Sequence, residues 1–182
     1  GVTLCFKVQY PGVAKAIDSD LDAIWRLLTW TRVLKSTPHS KEWFESLKQL
    51  LHQELDYQRE AAMTQQFSEF VKDDSIFKTA QIYPEYCSAD VLAASFETGY
   101  AVSDPAVKAL PTARKNRLAK AFLELFFKEM FVFKTLQTDP NFGNYRVQID
   151  ANGQQDSIVL LDFGSVVSYD DSLSLIHISE PT

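Results

Sequence analysis

The chain has 182 residues, 46% of them hydrophobic and 23% charged, the proportions of a globular protein with room for one sizeable core. Its formal net charge of −6 argues against nonspecific nucleic-acid binding, which relies on clustered Lys and Arg. Two cysteines, Cys5 and Cys87, are too few for a disulfide framework and fit a reducing compartment.

In chain order, β-forming residues predict a strand over 2–8, broken by Tyr10-Pro11-Gly12. The spacing then predicts a helix from Val13 to Leu34, with Ile17, Leu21, Ile24, Leu27 and Leu28 along one face. Thr37-Pro38-His39-Ser40 interrupts it. Ser40 is a candidate N-cap for a second helix, with Glu42 in its first turn. Trp43, Phe44, Leu47, Leu50, Leu51 and Leu55 supply an apolar stripe, so this second helix is expected to run unbroken from Lys41 to Val71. Trp25, Trp30 and Trp43 fall on these helices and are read as core. Strands are expected over 79–83 and 90–96, with Pro84 and Gly99 as punctuation.

Asp104-Pro105 opens a short helical turn, and Thr112 a long helix reaching Leu136. The stretch from Leu118 to Leu136 is the most apolar in the chain. Lys120, Glu124, Lys128, Glu129 and Lys134 interrupt it, which favours a buried amphipathic helix over a membrane span. A loop carrying Asp139 follows, then strands over 144–149 and 157–161 joined by a turn at Asn152-Gly153. Such a hairpin would bring Asn144 and Asp162 together. The whole order is α+β and matches a protein-kinase-like two-lobe fold. Residues 1–98 would form part of the N-lobe and 99–172 part of the C-lobe.

The chemistry concentrates near the end. Asp139 is followed five residues later by Asn144, and a short strand then runs into Asp162-Phe163-Gly164. This is the carboxylate layout of a kinase active site, in which Asp139 would handle the acceptor proton while Asn144 and Asp162 hold Mg²⁺. Phosphoryl transfer needs such groups because its transition state spreads negative charge over several oxygens. A kinase also needs a strand Lys for the phosphates and a helix carboxylate to hold it. Lys7, between Phe6 and Val8, and Glu60 are the candidates. The alternative is that Lys7 is a solvated residue of an edge strand.

In Glu54-Leu55-Asp56-Tyr57-Gln58-Arg59-Glu60, the helical spacing puts Asp56 and Glu60 on one face. Unaided, the run reads as a solvated surface with Arg59 as counter-charge. His39 and His52 lack partners at zinc-ligand spacing, Cys87 has no neighbouring His to activate it, and no G-x-G-x-x-G occurs. A phosphate-covering loop is therefore expected before Gly1.

Four motifs resemble the UbiB family of atypical, protein-kinase-like proteins, also called aarF-domain kinases. They are Lys7-Val8-Gln9-Tyr10-Pro11-Gly12-Val13, Glu54 through Ala62, Gln137-Thr138-Asp139-Pro140-Asn141-Phe142-Gly143-Asn144, and Leu160-Leu161-Asp162-Phe163-Gly164. Gln-Thr-Asp-Pro-Asn is similar to the coenzyme Q biosynthesis branch. The resemblance implies ATP and Mg²⁺ as cofactors, Lys7 and Glu60 as the nucleotide-site ion pair, and Asp139 as the catalytic-loop acid. It further implies that Asn144 and Asp162 are metal ligands, that Glu54 and Asp56 form a Glu-x-Asp motif near the nucleotide, and that residues 13–40 are a helical insertion.

The implied function is an atypical kinase or ATPase supporting ubiquinone biosynthesis, in a bacterial cytoplasm or mitochondrial matrix. Its implied partners are a nucleotide and, beyond it, an isoprenoid lipid, quinone-biosynthesis proteins or a membrane surface, but no nucleic acid. The competing readings are a catalytically silent nucleotide-sensing scaffold and a conventional small-molecule phosphotransferase. The family's Lys-x-Gly-Gln helix and Ala-rich loop do not occur in the 182 residues, and Leu173 to Thr182 reads as a translated sequencing adapter. The chain is therefore expected to be a piece of a longer protein.

Overall fold

Gly12 sits at φ +81°, a left-handed turn that only glycine adopts at little cost, and it marks where strand β1 gives way to helix. The computed structural model describes residues 1–35, 37–139 and 141–169; the boundary expected near Ser172 and the adapter-like segment lie outside the described residues. Strand β1 (Leu4–Val8) pairs antiparallel with β3 (Val91–Ser95), Lys7 standing opposite Leu92. Between them come helices α1 (Val13–Trp30), α2 (Pro38–Gln53) and α3 (Tyr57–Val71), then strand β2 (Phe77–Thr79).

The expected single helix from Lys41 to Val71 is two helices. Thr37, not Ser40, caps α2: its hydroxyl accepts from the Ser40 backbone N–H, while the Ser40 hydroxyl accepts from the Thr37 backbone N–H. Pro38 takes the first helical position, where its missing N–H costs nothing. The helix stops at Gln53 because Asp56, in a non-helical conformation, caps α3 by accepting from the Arg59 N–H at 2.9 Å. Asp56 therefore does not share a helical face with Glu60.

Helices α1 and α2 form a hairpin joined by Trp25 against Phe44 (ring centroids 4.7 Å apart), by the Lys48–Asp22 ion pair and by His52 against Asp18 at 2.8 Å. Its outer surface carries exposed Ile24, Leu27 and Leu50 among charged residues. Trp30 is 82% exposed and Trp43 57%, so neither belongs to the core, and Trp25 is only half-buried. The 3.6-residue period puts these rings on a helix face; it does not say whether another element covers that face.

Strand β2 is shifted from the expected 79–83. Residues 77–79 pair in parallel with β7 (Ser157–Leu160), whereas Ile82 bridges Ala94 beside β3. The chain crosses between two sheets here, and neither pairing is local. The larger sheet has the order β2-β7-β6-β4, with β6 (Tyr145–Gln148) and β4 (Tyr100–Ala101) antiparallel to their neighbours. Short α4 (Pro105–Lys108) precedes α5 (Thr112–Lys128).

The helix expected to reach Leu136 loses its α geometry at Glu129. A π-turn covers Glu129–Phe133, Lys134 adopts a left-handed φ of +52°, and β5 (Thr135–Gln137) follows, paired with β8 (Val166–Ser168). The main core gathers Phe67 and Val71 of α3, Leu118 and Leu125 of α5, and Val147, Ile158 and Leu160 of the sheet around Phe163. Among the described residues, no helix is long and apolar enough to cross a membrane.

Candidate active site

The hairpin of β6 and β7 is what brings the distant motifs together. Tyr145 stands opposite Leu160, and the Leu161 N–H donates to the Asn144 carbonyl at 3.0 Å. Asn144 and Asp162 consequently line the same cleft, as the hairpin reading anticipated. Phe163 is fully buried against Phe67 of α3, with centroids 4.6 Å apart, and this anchor fixes the neighbouring Asp162 at the cleft wall. The Gly164 N–H donates to Asp162 Oδ1 at 2.9 Å.

Lys7 enters the cleft from β1. Its Nζ lies 3.0 and 2.8 Å from the two Glu60 oxygens and 3.7 Å from Asp162 Oδ2, and it also stands over the Tyr57 ring. Glu60 is 4% exposed. Burial would lower the Lys7 ammonium, but the Glu60 hydrogen bond and charge, with Asp162, outweigh it and raise it above the ordinary lysine value. Burial pushes Glu60 up while Lys7 pulls it down. The amine thus stays charged in a half-buried site, which an anionic ligand would exploit.

Asn144 belongs to the other wall, and Asp139 stands behind it, outside the cleft lining. Asn144 Nδ2 donates to Asp139 Oδ2 at 2.7 Å, and Asp139 Oδ1 accepts from the Asn141 N–H at 3.3 Å. An ionised carboxylate only accepts, so it takes the amide's nitrogen end and leaves the amide oxygen of Asn144 for another partner. Among the described residues no cluster of three or more His, Cys, Asp or Glu could hold a metal. The Asn144 amide oxygen and the Asp162 carboxylate, lining one cleft, still fit Mg²⁺, which takes hard oxygen donors and commonly completes its shell with phosphates and water. The cleft measures about 640 Å³ and is also lined by Glu97, Gly99 and Arg146.

Glu54 contacts the Asp-Phe-Gly segment: its Oε1 accepts from the Ser165 hydroxyl. Asp56 does not line the cleft; it caps α3. Three residues that the sequence reading missed tie this region together. Arg59, read there as a surface counter-charge, donates to the carbonyls of Gly164 (2.8 Å) and Val166. The Gln137 side chain donates to the Asp162 carbonyl and accepts from the Tyr145 hydroxyl at 2.7 Å. Glu129, 5% exposed, accepts from the Gln137 N–H at 3.1 Å. A glutamate inside the most apolar stretch of the chain was the one signal available for it.

Glu129 gives the fold a pH dependence. Burial pushes its carboxyl from 4.5 up to about 7, against the pull of the Gln137 N–H. A folded-state value above the unfolded one means that the native state holds its proton longer. The stabilisation is complete below pH 4.5 and is lost as the pH rises to about 7. We expect Glu129→Gln, which keeps an acceptor for Gln137, to flatten this decline, recovering on the order of 2–3 kcal/mol at pH 8 relative to pH 5. Thermal unfolding of both proteins at the two pH values checks it. Parallel pH slopes would refute the assignment.

Strand β1, helix α3 and the β6–β7 hairpin, arranged around one cleft, define a protein-kinase-like α+β fold. The chain is similar to the solved structure titled "The complex structure of Rv3197-erythromycin from Mycobacterium tuberculosis", with a TM-score of 0.73 and 21% identity over 92% of this chain and 41% of that one. Residues 1–177 match the ABC1 atypical kinase-like domain, and the chain belongs to that family. It is 33% identical over 168 residues to the mitochondrial atypical kinase COQ8 of Saccharomyces cerevisiae, and 33% identical over 165 residues to the mitochondrial atypical kinase COQ8B of Rattus norvegicus. Each alignment covers 91% of this chain but only 32% and 30% of those proteins, so the chain spans about a third of the relatives' length. A chloroplastic relative, ACTIVITY OF BC1 COMPLEX KINASE 8 of Arabidopsis thaliana, is 29% identical over 174 residues. The resemblance to UbiB proteins is thereby met at the level of family.

Proposed function

We propose that the complete protein is an atypical kinase or ATPase that binds ATP with Mg²⁺ and supports ubiquinone biosynthesis. The observation that carries this reading is the convergence of Glu60, at 2.8 Å, and Asp162, at 3.7 Å, on the Lys7 ammonium in a cleft that Asn144 also lines. An ammonium held by a buried carboxylate suits the α- and β-phosphates, and an amide oxygen beside a carboxylate suits the metal that bridges them. Bound there, Mg²⁺ would offset the negative charge of the phosphates. Asp139, hydrogen-bonded by the Asn144 amide, would take the proton of an acceptor hydroxyl or water brought to it. Similarity to mitochondrial atypical kinases named COQ8 supports the kinase reading and a mitochondrial location, the matrix in this proposal; a bacterial cytoplasm suits the same chemistry. The acceptor is a small or lipid-linked molecule, or water in ATP hydrolysis coupled to lipid extraction at a membrane surface.

Single-turnover measurement of ADP on the complete protein, with isoprenoid lipid present, tests the enzyme. ADP should form at a rate that falls at least a hundredfold in Asp139→Asn. Bound ATP that yields no ADP would overturn turnover and leave a nucleotide-sensing scaffold.

A further inference from the structure

We infer that Arg59 is a positioning residue, which locks the metal ligand Asp162 to the helix that carries Glu60. The inference rests on the nucleotide-site reading above. Arg59 occupies the third position of α3, where the Asp56 cap holds its backbone, and Glu60 is the next residue. Its guanidinium spans to the chain 105 residues away and donates to two alternate carbonyls, those of Gly164 and Val166. A planar fork with several donors suits this task, because two carbonyls two residues apart demand two N–H groups at fixed separation.

The gripped carbonyls flank the turn that shapes Asp162. The Gly164 N–H binds Asp162 Oδ1, so fixing Gly164 fixes which carboxylate oxygen stays turned toward the cleft. From the other side, Thr138 donates to the Ser165 carbonyl through its N–H at 2.8 Å and its hydroxyl at 3.0 Å. The segment 164–166 is therefore held between the catalytic loop and the start of α3. Glu60 aims Lys7 from one residue beyond Arg59, so a single helix terminus sets both the cation for the phosphates and the carboxylate for the metal. Any movement of α3 displaces the two together.

The test uses the complete protein with Arg59→Met and Arg59→Lys, a non-hydrolysable ATP analogue, and titrated Mg²⁺. Arg59→Met should need at least tenfold more Mg²⁺ for half-maximal thermal stabilisation by the analogue. Analogue affinity in EDTA should change less than twofold, since Lys7 and Glu60 are intact. Arg59→Lys, able to reach one carbonyl, should fall between. In ligand-free protein, hydrogen exchange of the Gly164 amide should accelerate at least tenfold in Arg59→Met. An unchanged Mg²⁺ requirement or unchanged Gly164 exchange would overturn the inference. A wild-type protein that ignores the Mg²⁺–analogue altogether would instead overturn the nucleotide reading, and the exchange measurement would still decide whether Arg59 restrains the segment.

Discussion

Asp162→Asn should abolish Mg²⁺-dependent nucleotide binding by the complete protein and leave it folded. The fold survives because the side chain at 162 faces the cleft, 37% exposed, and the core contact of the segment belongs to Phe163. An asparagine also keeps an oxygen for the Gly164 N–H. What it loses is the negative charge opposite Asn144 and 3.7 Å from Lys7. A neutral amide pair is a poor site for a strongly hydrated divalent cation. At a hundredfold excess over its dissociation constant, Mg²⁺-ATP should stabilise the wild type by about 2.7 kcal/mol, and the variant by close to none of that. Thermal unfolding with and without Mg²⁺-ATP measures both. Equal stabilisation of the two proteins would remove Asp162 from the metal site and undercut the proposed chemistry. The variant without ligand should unfold within about 2 °C of the wild type, on the small cost expected of a polar surface change.

The order of elements was legible because most of it is local. Gly12, Pro38 and Asp104 each end or start an element through their own backbone chemistry, and the turn residues Asn152-Gly153 between two strand-forming runs declare a hairpin. That hairpin alone is enough to join Asn144 to Asp162. Lys7 was ambiguous for a physical reason: alternation along a five-residue strand gives two faces and does not say which one meets α3. The contact with Glu60 spans 53 residues, and only the tertiary fold decides it.

What stayed illegible depends on pairing at a distance or on competition between two local signals. Strands β5 and β8 are three residues each and exist through one another, so neither carries a pattern of its own. The break between α2 and α3 was masked because Leu50, Leu51 and Leu55 continue the apolar stripe across it, while Asp56 acts as a cap. Helical period and capping chemistry disagreed at that point, and capping prevailed. It prevailed where Gln9, just after β1, donates to the Leu55 carbonyl, a bond available only once the helix opens. Arg59 and Glu54 look like ordinary surface charges in sequence. Their partners, Gly164 and Ser165, lie more than a hundred residues away.

Asp156→Ala should destabilise the fold by about 3 kcal/mol. The carboxylate is buried at the return of the β6–β7 hairpin. It accepts from Arg114 Nε at 2.8 Å, from a second Arg114 nitrogen, from Arg117 at 2.9 Å and from the Asp150 N–H at 3.0 Å. The Arg114 hydrogen bond comes first among the causes that hold Asp156 below the ordinary aspartate value. Alanine would strip four donors of their acceptor and leave two guanidiniums without a counter-charge. Because Arg117 is partly open to solvent, water would recover some of that loss, which keeps the expectation near the lower end for a broken buried pair. Urea denaturation of the complete protein measures the cost, and a change under 1 kcal/mol would mean that the network is idle. A double-mutant cycle adds the decisive comparison. Arg114→Met should cost much less in the Asp156→Ala background than in the wild type, because the carboxylate it serves is already gone. The same loss should loosen the hairpin that carries Asn144 and Asp162, so Mg²⁺-nucleotide stabilisation should fall in Asp156→Ala even at temperatures where the protein remains folded.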